Sequence, residues 1–350
     1  MRLNVDIKKK LMNFELQAAF HTEGEVLALL GASGCGKSMT LKCIAGIETP
    51  DSGIIELDGQ VLFDSSRKLN LPPQQRKVGY LFQNYALFPN MTVAENIAFV
   101  TVGDRAEKKK IVAENIRRFA LENLENAYPQ KLSGGQQQRV AFARILASEA
   151  KILLLDEPFS ALDSYLKWQL EQEMLEILER YDGAALFVSH DRDEVYRLCD
   201  RVAVMNQGHI EVISTKKELF ENPQTMAGTL LTGCKNISKA RLIDDHTIAV
   251  EDWGLQLHIA RRVPQNLYYA GFRAHFFKLA EDEMAENTFL MEVVRVIEDS
   301  FSYLVLVRVK GTSGKTLLWD VDKELWQKIT STSVQLFLTI PADKIILMEK

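Results

Sequence analysis

Three short stretches of the chain are apolar at every position: Val26–Leu30, Ile152–Leu155 and Ala185–Val188. Runs of this length without polar alternation predict strands buried on both faces of a parallel sheet. Each run ends on polar or flexible residues: the glycine-rich turn from Gly31, then Asp156, then Ser189-His190. From Lys37 the stretch Ser38–Ala45 has helical periodicity and stops at Gly46, so strand, glycine loop and helix form one α/β unit. Strand ends that carry polar groups on one edge predict an open α/β sheet with its site along that edge. Asp58-Gly59 lies between two β-rich runs and predicts a hairpin that adds antiparallel sheet, because both residues tolerate positive φ. Residues 92–130 are charged and helical in pattern, and the triplets Lys8–Lys10 and Lys108–Lys110 read as solvated faces.

After about residue 230 the texture changes to short strands and turns. Strands are expected at Thr247–Val250, Leu255–Ile259, Met291–Ile297, Tyr303–Val309, Lys315–Trp319, Val334–Thr339 and Lys344–Leu347, with a turn at Asp252-Trp253-Gly254. That spacing predicts a small all-β barrel or sandwich. Breaks near Asn222-Pro223-Gln224 and Glu281–Asn287 divide the chain into an α/β domain over 1–228, a β-rich segment over 229–285 and a β-barrel over 286–350.

The length of 350 residues fits two or three domains. With 42 basic and 47 acidic residues the net charge is −5, which argues against a dedicated nucleic-acid binder. Cys35, Cys43, Cys199 and Cys234 form no close pair and read as reduced thiols. No apolar run approaches the ~18 residues needed to span a bilayer, and Met1–Lys10 carries no apolar export signal. The expectation is a cytosolic chain, held at a membrane only by a partner.

Three constellations carry chemistry. Gly31-Ala32-Ser33-Gly34-Cys35-Gly36-Lys37-Ser38, followed by Met39, curls backbone N–H groups around phosphate oxygens at a helix start. In this pattern Lys37 reaches the β- and γ-phosphates and Ser38 offers a hydroxyl to Mg²⁺. Asp156-Glu157 ends a buried strand; Asp156 is placed to hold Mg²⁺ and Glu157 to orient and deprotonate water, and two adjacent acids there call for a compensating cation or proton. Leu132-Ser133-Gly134-Gly135-Gln136 opens a helical run; two glycines permit close backbone approach, and the helix start favours an anion. Alone, that third motif reads equally as a helix cap.

The joint pattern resembles the ATP-binding cassette family over residues 1–225. Leu132–Gln136 matches its signature, Gln83 in Phe82-Gln83-Asn84 its Q-loop, Ser160-Ala161-Leu162-Asp163 its D-loop and His190 its switch histidine. The resemblance implies a P-loop NTPase cassette with antiparallel β and helical subdomains, working as a head-to-tail homodimer that sandwiches two ATP molecules with Mg²⁺. Lys37, Ser38, Gln83, Asp156, Glu157 and His190 would serve one nucleotide, with Ser38, Gln83 and Asp156 around the metal. Ser133, Gly134, Gly135 and Gln136 of the other copy would close over it, and Asp163 would couple the two sites. The aromatic that the family stacks on adenine is replaced by Leu11, with Phe14 read as core.

The stretch Tyr80–Val93 resembles importer ATPases, in which this region receives a helix of a membrane permease; Tyr85, Leu87 and Phe88 are the expected docking residues. Thr232–Ile237, Asp252–Gly254 and Gly271–His275 look like the molybdate-importer subunit, and 286–350 like its small oxyanion-binding (Mop- or TOBE-like, OB-type) β-domain. The implied activity is ATP hydrolysis driving solute import at the cytoplasmic face of the membrane. Sulfate, tungstate, iron, polyamine and sugar importers share the architecture. A solute-binding protein would act on this chain only through the permease. A regulatory oxyanion in the C-terminal domain is opposed locally by Asp343, and a dimer contact is the alternative use of that domain. A soluble cassette ATPase on nucleic acid or ribosomes would be expected to carry a second cassette or a long coiled coil, and this chain has one cassette and no heptad run.

Overall fold

The structure, a computed structural model, describes residues 1–160, 164–331 and 335–349. Ala161, Leu162 and Asp163 of the expected D-loop, and Val334 of an expected strand, lie outside the described residues. The chain divides into two compact units, Met1–Lys217 and Glu218–Lys350.

The first unit is built on one sheet of eleven strands. They are β1 (Arg2–Lys10), β2 (Glu15–Glu23), β3 (Val26–Leu30), β4 (Ser52–Leu57), β5 (Gln60–Asp64), β6 (Leu69–Asn70), β7 (Val78–Leu81), β8 (Ile152–Asp156), β9 (Ala184–Ser189), β10 (Arg201–Asn206) and β11 (His209–Thr215). The spatial order is β6-β5-β4-β1-β2-β11-β10-β3-β9-β8-β7. Strands β10, β3, β9, β8 and β7 are parallel, and hairpins β1–β2, β4–β5 and β10–β11 add the antiparallel part. Every residue of β8 and β9 is buried, as is β3 beyond Val26. Each fully buried leucine there, such as Leu27, Leu29, Leu154 and Leu186, contributes about 1.5–3 kcal/mol. An interior this apolar leaves the strand ends as the positions where polar chemistry can sit. The expected hairpin forms at Asp58 and Gly59, with φ of 48° and 79°.

The helices of this unit are α1 (Lys37–Ala45), α2 (Val93–Ala98), α3 (Arg105–Arg118), α4 (Gly134–Ala147), α5 (Ser164–Glu179) and α6 (Arg192–Leu198). The charged stretch 92–130 thus resolves into α2 and α3. Both open with a capping box, Thr92 with Glu95 and Asp104 with Glu107, which satisfies the first free N–H groups. Helix α1 ends at Gly46 in the left-handed region. Its last carbonyls, those of Cys43 and Ile44, accept from the fully buried Arg76 guanidinium at 2.8 Å.

The second unit holds two five-stranded sheets. After α7 (Lys216–Glu221), at the unit boundary, and α8 (Met226–Leu231) come β12 (Asn236–Asp244), β13 (Thr247–Val250), β14 (Leu255–His258), β15 (Leu267–Phe272), β16 (Lys278–Leu279), β17 (Thr288–Glu298), β18 (Ser302–Val309), β19 (Leu317–Asp322), α9 (Lys323–Ser331), β20 (Leu336–Thr339) and β21 (Ile346–Glu349). The orders are β14-β13-β12-β15-β21 and β16-β20-β17-β18-β19. One core joins the sheets, with Ile248, Leu257 and Phe272 from the first and Val305, Trp319 and Leu338 from the second. The Asn236 amide bridges them, accepting from Leu318 N at 2.7 Å and donating to Leu318 O at 2.8 Å. The β texture beyond residue 230 is therefore real. It also contains α9, absent from the sequence expectation, whose Leu325, Trp326 and Ile329 pack on this core. Residues 342–344 form a 3-10 turn, so the last strand starts at Ile346.

Candidate nucleotide site

The phosphate loop joins β3 to α1. Gly34 and Gly36 have φ of 81° and 111°, the left-handed region that side chains disfavour. At Gly31 the constraint is space: a Cβ would lie 2.3 Å from Met205 O and 2.7 Å from Cys35 Sγ. Ala32, Ser33 and Gly34 are exposed, whereas Cys35 and Lys37 are buried. The Lys37 ammonium donates to Gly31 O at 2.7 Å and Ala32 O at 2.9 Å, folded back over the loop it serves. Burial raises the Cys35 pKa against the nearby ammonium, which keeps the side chain a neutral thiol at the loop's base. Met39, in the first turn of α1, packs against the core.

Asp156 ends β8 with only 7% of its surface exposed. Its Oδ1 accepts from Ser38 Oγ at 2.7 Å and its Oδ2 from Tyr80 OH at 2.7 Å. Burial, then the adjacent carboxylate, raises the Tyr80 pKa, so the phenol remains a donor. Tyr80 on β7 was not singled out from the sequence: nothing local distinguishes it from a core tyrosine, and its partner is on the neighbouring strand. Glu157 turns the other way. Its backbone is left-handed, φ 47°, its N–H donates to Val188 O at 3.0 Å, and its carboxylate lies 3.3 Å from His190 Nδ1. The two adjacent acids thus separate, one toward a hydroxyl and a phenol, the other toward an imidazole. His190 follows β9 and its side chain is 58% exposed.

The loop behind His190 is fixed by charges. Ser189 Oγ donates to Glu194 at 2.6 Å and accepts from Asp191 N at 2.9 Å. Lys167 of α5 is 2.5 Å from both Asp191 and Glu194. Burial alone would raise the Asp191 pKa, but the Lys167 bond and the backbone N–H groups of Asp193 and Glu194 outweigh it and the value falls. Burial likewise works against the Lys167 charge, and the two carboxylates reverse that, so its pKa rises.

Gln83 follows β7, is exposed, and donates to Ser160 Oγ at 3.2 Å. The signature residues open α4, where Ser133 Oγ accepts from Gln136 N at 3.3 Å and Ser133 N donates to Gln136 Oε1 at 2.9 Å. That closed capping box is the helix cap the sequence allowed. Gly135 is packed; a Cβ there would lie 3.0 Å from Leu166. Of the three residues expected to dock a partner, Tyr85 is only 5% exposed and its phenol lies 3.5 Å from Gln138 Oε1, so its ring offers no surface. The Phe88 and Phe99 rings pack at a tilt with centroids 4.6 Å apart, and Phe99 itself is 60% exposed. Leu11 and Phe14 both pack against the core, and Phe14 borders the phosphate loop, 3.6 Å from where a Gly36 Cβ would be.

Glycine loop, lysine, hydroxyl and two diverging acids at the ends of parallel strands define a P-loop ATPase. The arrangement fits Mg²⁺ and a nucleotide. A hydroxyl and a single carboxylate suit a hard ion that keeps waters and phosphate oxygens as its other ligands, and the glycine loop leaves Ala32, Ser33 and Gly34 exposed ahead of the α1 N-terminus.

Residues 15–160 match the model of the family described as ABC transporter. The chain is similar to the Fe(3+) ions import ATP-binding protein FbpC of Haemophilus influenzae strain 86-028NP, 42% identical over 67% of this chain and 66% of that protein. It is 40% identical to FbpC 2 of Haemophilus influenzae strain KW20/Rd over 71% of this chain and 73% of that protein. It is 43% identical to the spermidine/putrescine import ATP-binding protein PotA of Bacillus cereus strain ATCC 14579 over 62% of this chain and 65% of that protein. The chain thus spans about two thirds of the length of these relatives. Among solved structures, the dimeric post-hydrolysis state of the ATP-binding cassette MJ0796 bound to ADP and Pi is similar, with a TM-score of 0.51 and 27% identity over 62% of this chain and 99% of that one. So is cbiO1 of Clostridium perfringens, part of the ABC transporter complex cbiONQ, with a TM-score of 0.54 and 28% identity over 63% of this chain and 90% of that one. The chain belongs to the ABC transporter family and carries its nucleotide-binding ATPase cassette.

Proposed function

We propose that the chain is the ATP-hydrolysing subunit of a bacterial importer, acting as a head-to-tail homodimer against membrane permease subunits at the cytoplasmic face. The observation that carries this reading is the set of contacts Ser38–Asp156–Tyr80 and Glu157–His190 at the strand ends of a cassette like those of import ATP-binding proteins. Lys37 exchanges its two loop carbonyls for the β- and γ-phosphate oxygens. Mg²⁺ held by Ser38, Asp156 and Gln83 supplies neutralisation of phosphate charge when bound. Glu157 orients the attacking water and accepts its proton, and His190, tethered to Glu157, faces the γ-phosphate. Ser133, Gly134, Gly135 and Gln136 of one copy close over the nucleotide held by the other, where the α4 N-terminus favours the phosphate charge. Asp163 couples the two sites, and closure of the pair excludes water. The permease meets the patch of Leu87, Phe88 and Phe99.

Ferric ion and spermidine or putrescine, the solutes in the relatives' names, come first as cargo. Molybdate, expected from Asp252–Gly254 and Gly271–His275, comes behind them, with no support from these relatives. The oxyanion reading of the C-terminal domain is tested by equilibrium binding of molybdate to the full chain; the Lys344 ammonium there is 3.1 Å from Asp343, a local competitor for any anion. Uptake of labelled iron(III), spermidine and molybdate by cells lacking the chain tests the whole reading. Complementation should restore one solute, and Glu157→Gln should abolish it again. Restoration of none would contradict these three cargoes.

A further inference from the structure

We infer that Arg144 is a positioning residue for hydrolysis: from the signature helix, it fixes the backbone turn that carries Gln83. The inference rests on the reading of Gln83 as part of the nucleotide site.

Just after Gln83, Tyr85 and Ala86 are consecutive non-glycine residues in the left-handed region, with φ of 60° and 43°. L-residues hold that conformation only where the surroundings over-determine it. Within the turn, Tyr85 N donates to Phe82 O at 2.8 Å and Ala86 N to Asn84 O at 2.7 Å. The decisive contact comes from α4. Arg144 Nη2 donates to Tyr85 O at 2.9 Å and Nη1 to Ala86 O at 2.7 Å, so one planar fork holds both strained carbonyls. The guanidinium carbon also lies 5.4 Å from the Phe88 ring centroid. Arg144 is only 8% exposed and forms no ion pair with a carboxylate among the described residues. Its charge is met by the turn's carbonyl dipoles and the ring face.

A second tie reinforces the first. Tyr85 OH lies 3.5 Å from Oε1 of the fully buried Gln138, also on α4. The turn is therefore pinned at two places on the helix that begins with Gly134 and is capped by Ser133. Gln83 stands two residues before the clamp and Phe88 two residues after it. A shift of the Phe88–Phe99 patch must be carried through this turn to Gln83 and to the signature helix together, or break the fork. Lysine keeps the charge but cannot bridge two carbonyls with fixed geometry.

Steady-state ATP hydrolysis by the full chain, with ATP and Mg²⁺ varied separately, tests this in wild type, Gln83→Ala, Arg144→Lys and the double variant. Arg144→Lys should lower kcat about tenfold or more while KM for ATP changes less than about twofold, the pattern of a misplaced reacting group beside an intact phosphate loop. It should raise the Mg²⁺ requirement as Gln83→Ala does. The double variant should be no slower than Gln83→Ala, because Arg144 acts through Gln83. Ala86→Pro, an exposed substitution that forbids positive φ at 86 and disfavours it at 85, should reproduce the Arg144→Lys kinetics and carries the test if Arg144→Lys does not fold. Losses that multiply in the double variant, a KM that rises with the fall in kcat, or wild-type kinetics in Arg144→Lys or Ala86→Pro would overturn the inference. Wild-type kinetics in Gln83→Ala would instead remove the reading of Gln83 and this inference with it.

Discussion

Tyr80→Phe isolates one hydrogen bond at the centre of the site. The ring stays: Tyr80 is buried, packs at a tilt against Phe82 with centroids 4.3 Å apart, and phenylalanine fills the same space. What disappears is the 2.7 Å donor to Asp156 Oδ2, leaving the nearly buried carboxylate with the Ser38 bond to its other oxygen, Oδ1. A hydrogen bond to a charged group contributes about 1.5–3 kcal/mol, so a loss of about 2 kcal/mol is expected. For a cooperative unit of the size of Met1–Lys217, each kcal/mol moves Tm by about 2–4 °C, giving a fall of about 4–8 °C. Calorimetry of the full chain without nucleotide measures it. Mg²⁺ with ATP should recover part of the loss, because the ion supplies the positive charge that the phenol no longer does. A Tm within about 1 °C of wild type would refute the reasoning and mean that water satisfies Oδ2 as well as the phenol does.

Two further substitutions and a pH effect follow from the same geometry. Gly31→Ala drives a Cβ to 2.3 Å from Met205 O, so ATP affinity should fall sharply, whereas Gly34→Ala meets no atom within 4 Å and should cost only the left-handed strain, about 1–2 kcal/mol; equal affinities by titration calorimetry would contradict the packing argument. Lys167→Met leaves Asp191 and Glu194 without their shared cation, so kcat should drop through a loosened His190 loop and Tm should fall by several degrees, with unchanged kcat as the contrary result. The Asp191 pKa is depressed in the folded chain, so its contribution is fully present above the unfolded value near ~3.9. It should be lost as pH falls through the lower folded value, and acid unfolding of Lys167→Met should begin at higher pH than that of wild type.

Much of the site was legible because its chemistry is local. Gly31 to Ser38 are contiguous, Asp156 and Glu157 adjoin, and the apolar runs before Gly31, Asp156 and His190 announce strands whose ends share an edge. Ser133 was legible in both of its readings, and the structure shows the cap. Contacts that join distant segments were not. Tyr80 reads as an ordinary strand residue until β7 pairs with β8 and brings it to Asp156. Lys167 looks like one charge on an amphipathic helix, and only the packing of α5 beside α6 gives it two carboxylates. Tyr85 was expected at a surface because its stretch resembles importer ATPases in which this region receives a permease helix, yet the strained turn pulls its ring inward under α4. Helix α9 was hidden because its span holds only three core-facing apolar residues amid a run of strands. The placement of β2 beside β11, with β10 and β11 between it and its sequence neighbour β3, is a property of topology that no local pattern carries.

The central claim is that the strand-end cluster hydrolyses ATP with Glu157 as the base. Its most direct test compares ATP binding and single-turnover hydrolysis in wild type and Glu157→Gln. The amide keeps the shape and the proximity to His190 but cannot accept the water's proton. Binding should stay within about twofold while hydrolysis falls by about 10²–10⁴, with ATP trapped in a dimer. Hydrolysis at the wild-type rate would contradict the assignment of Glu157 and the account built on it.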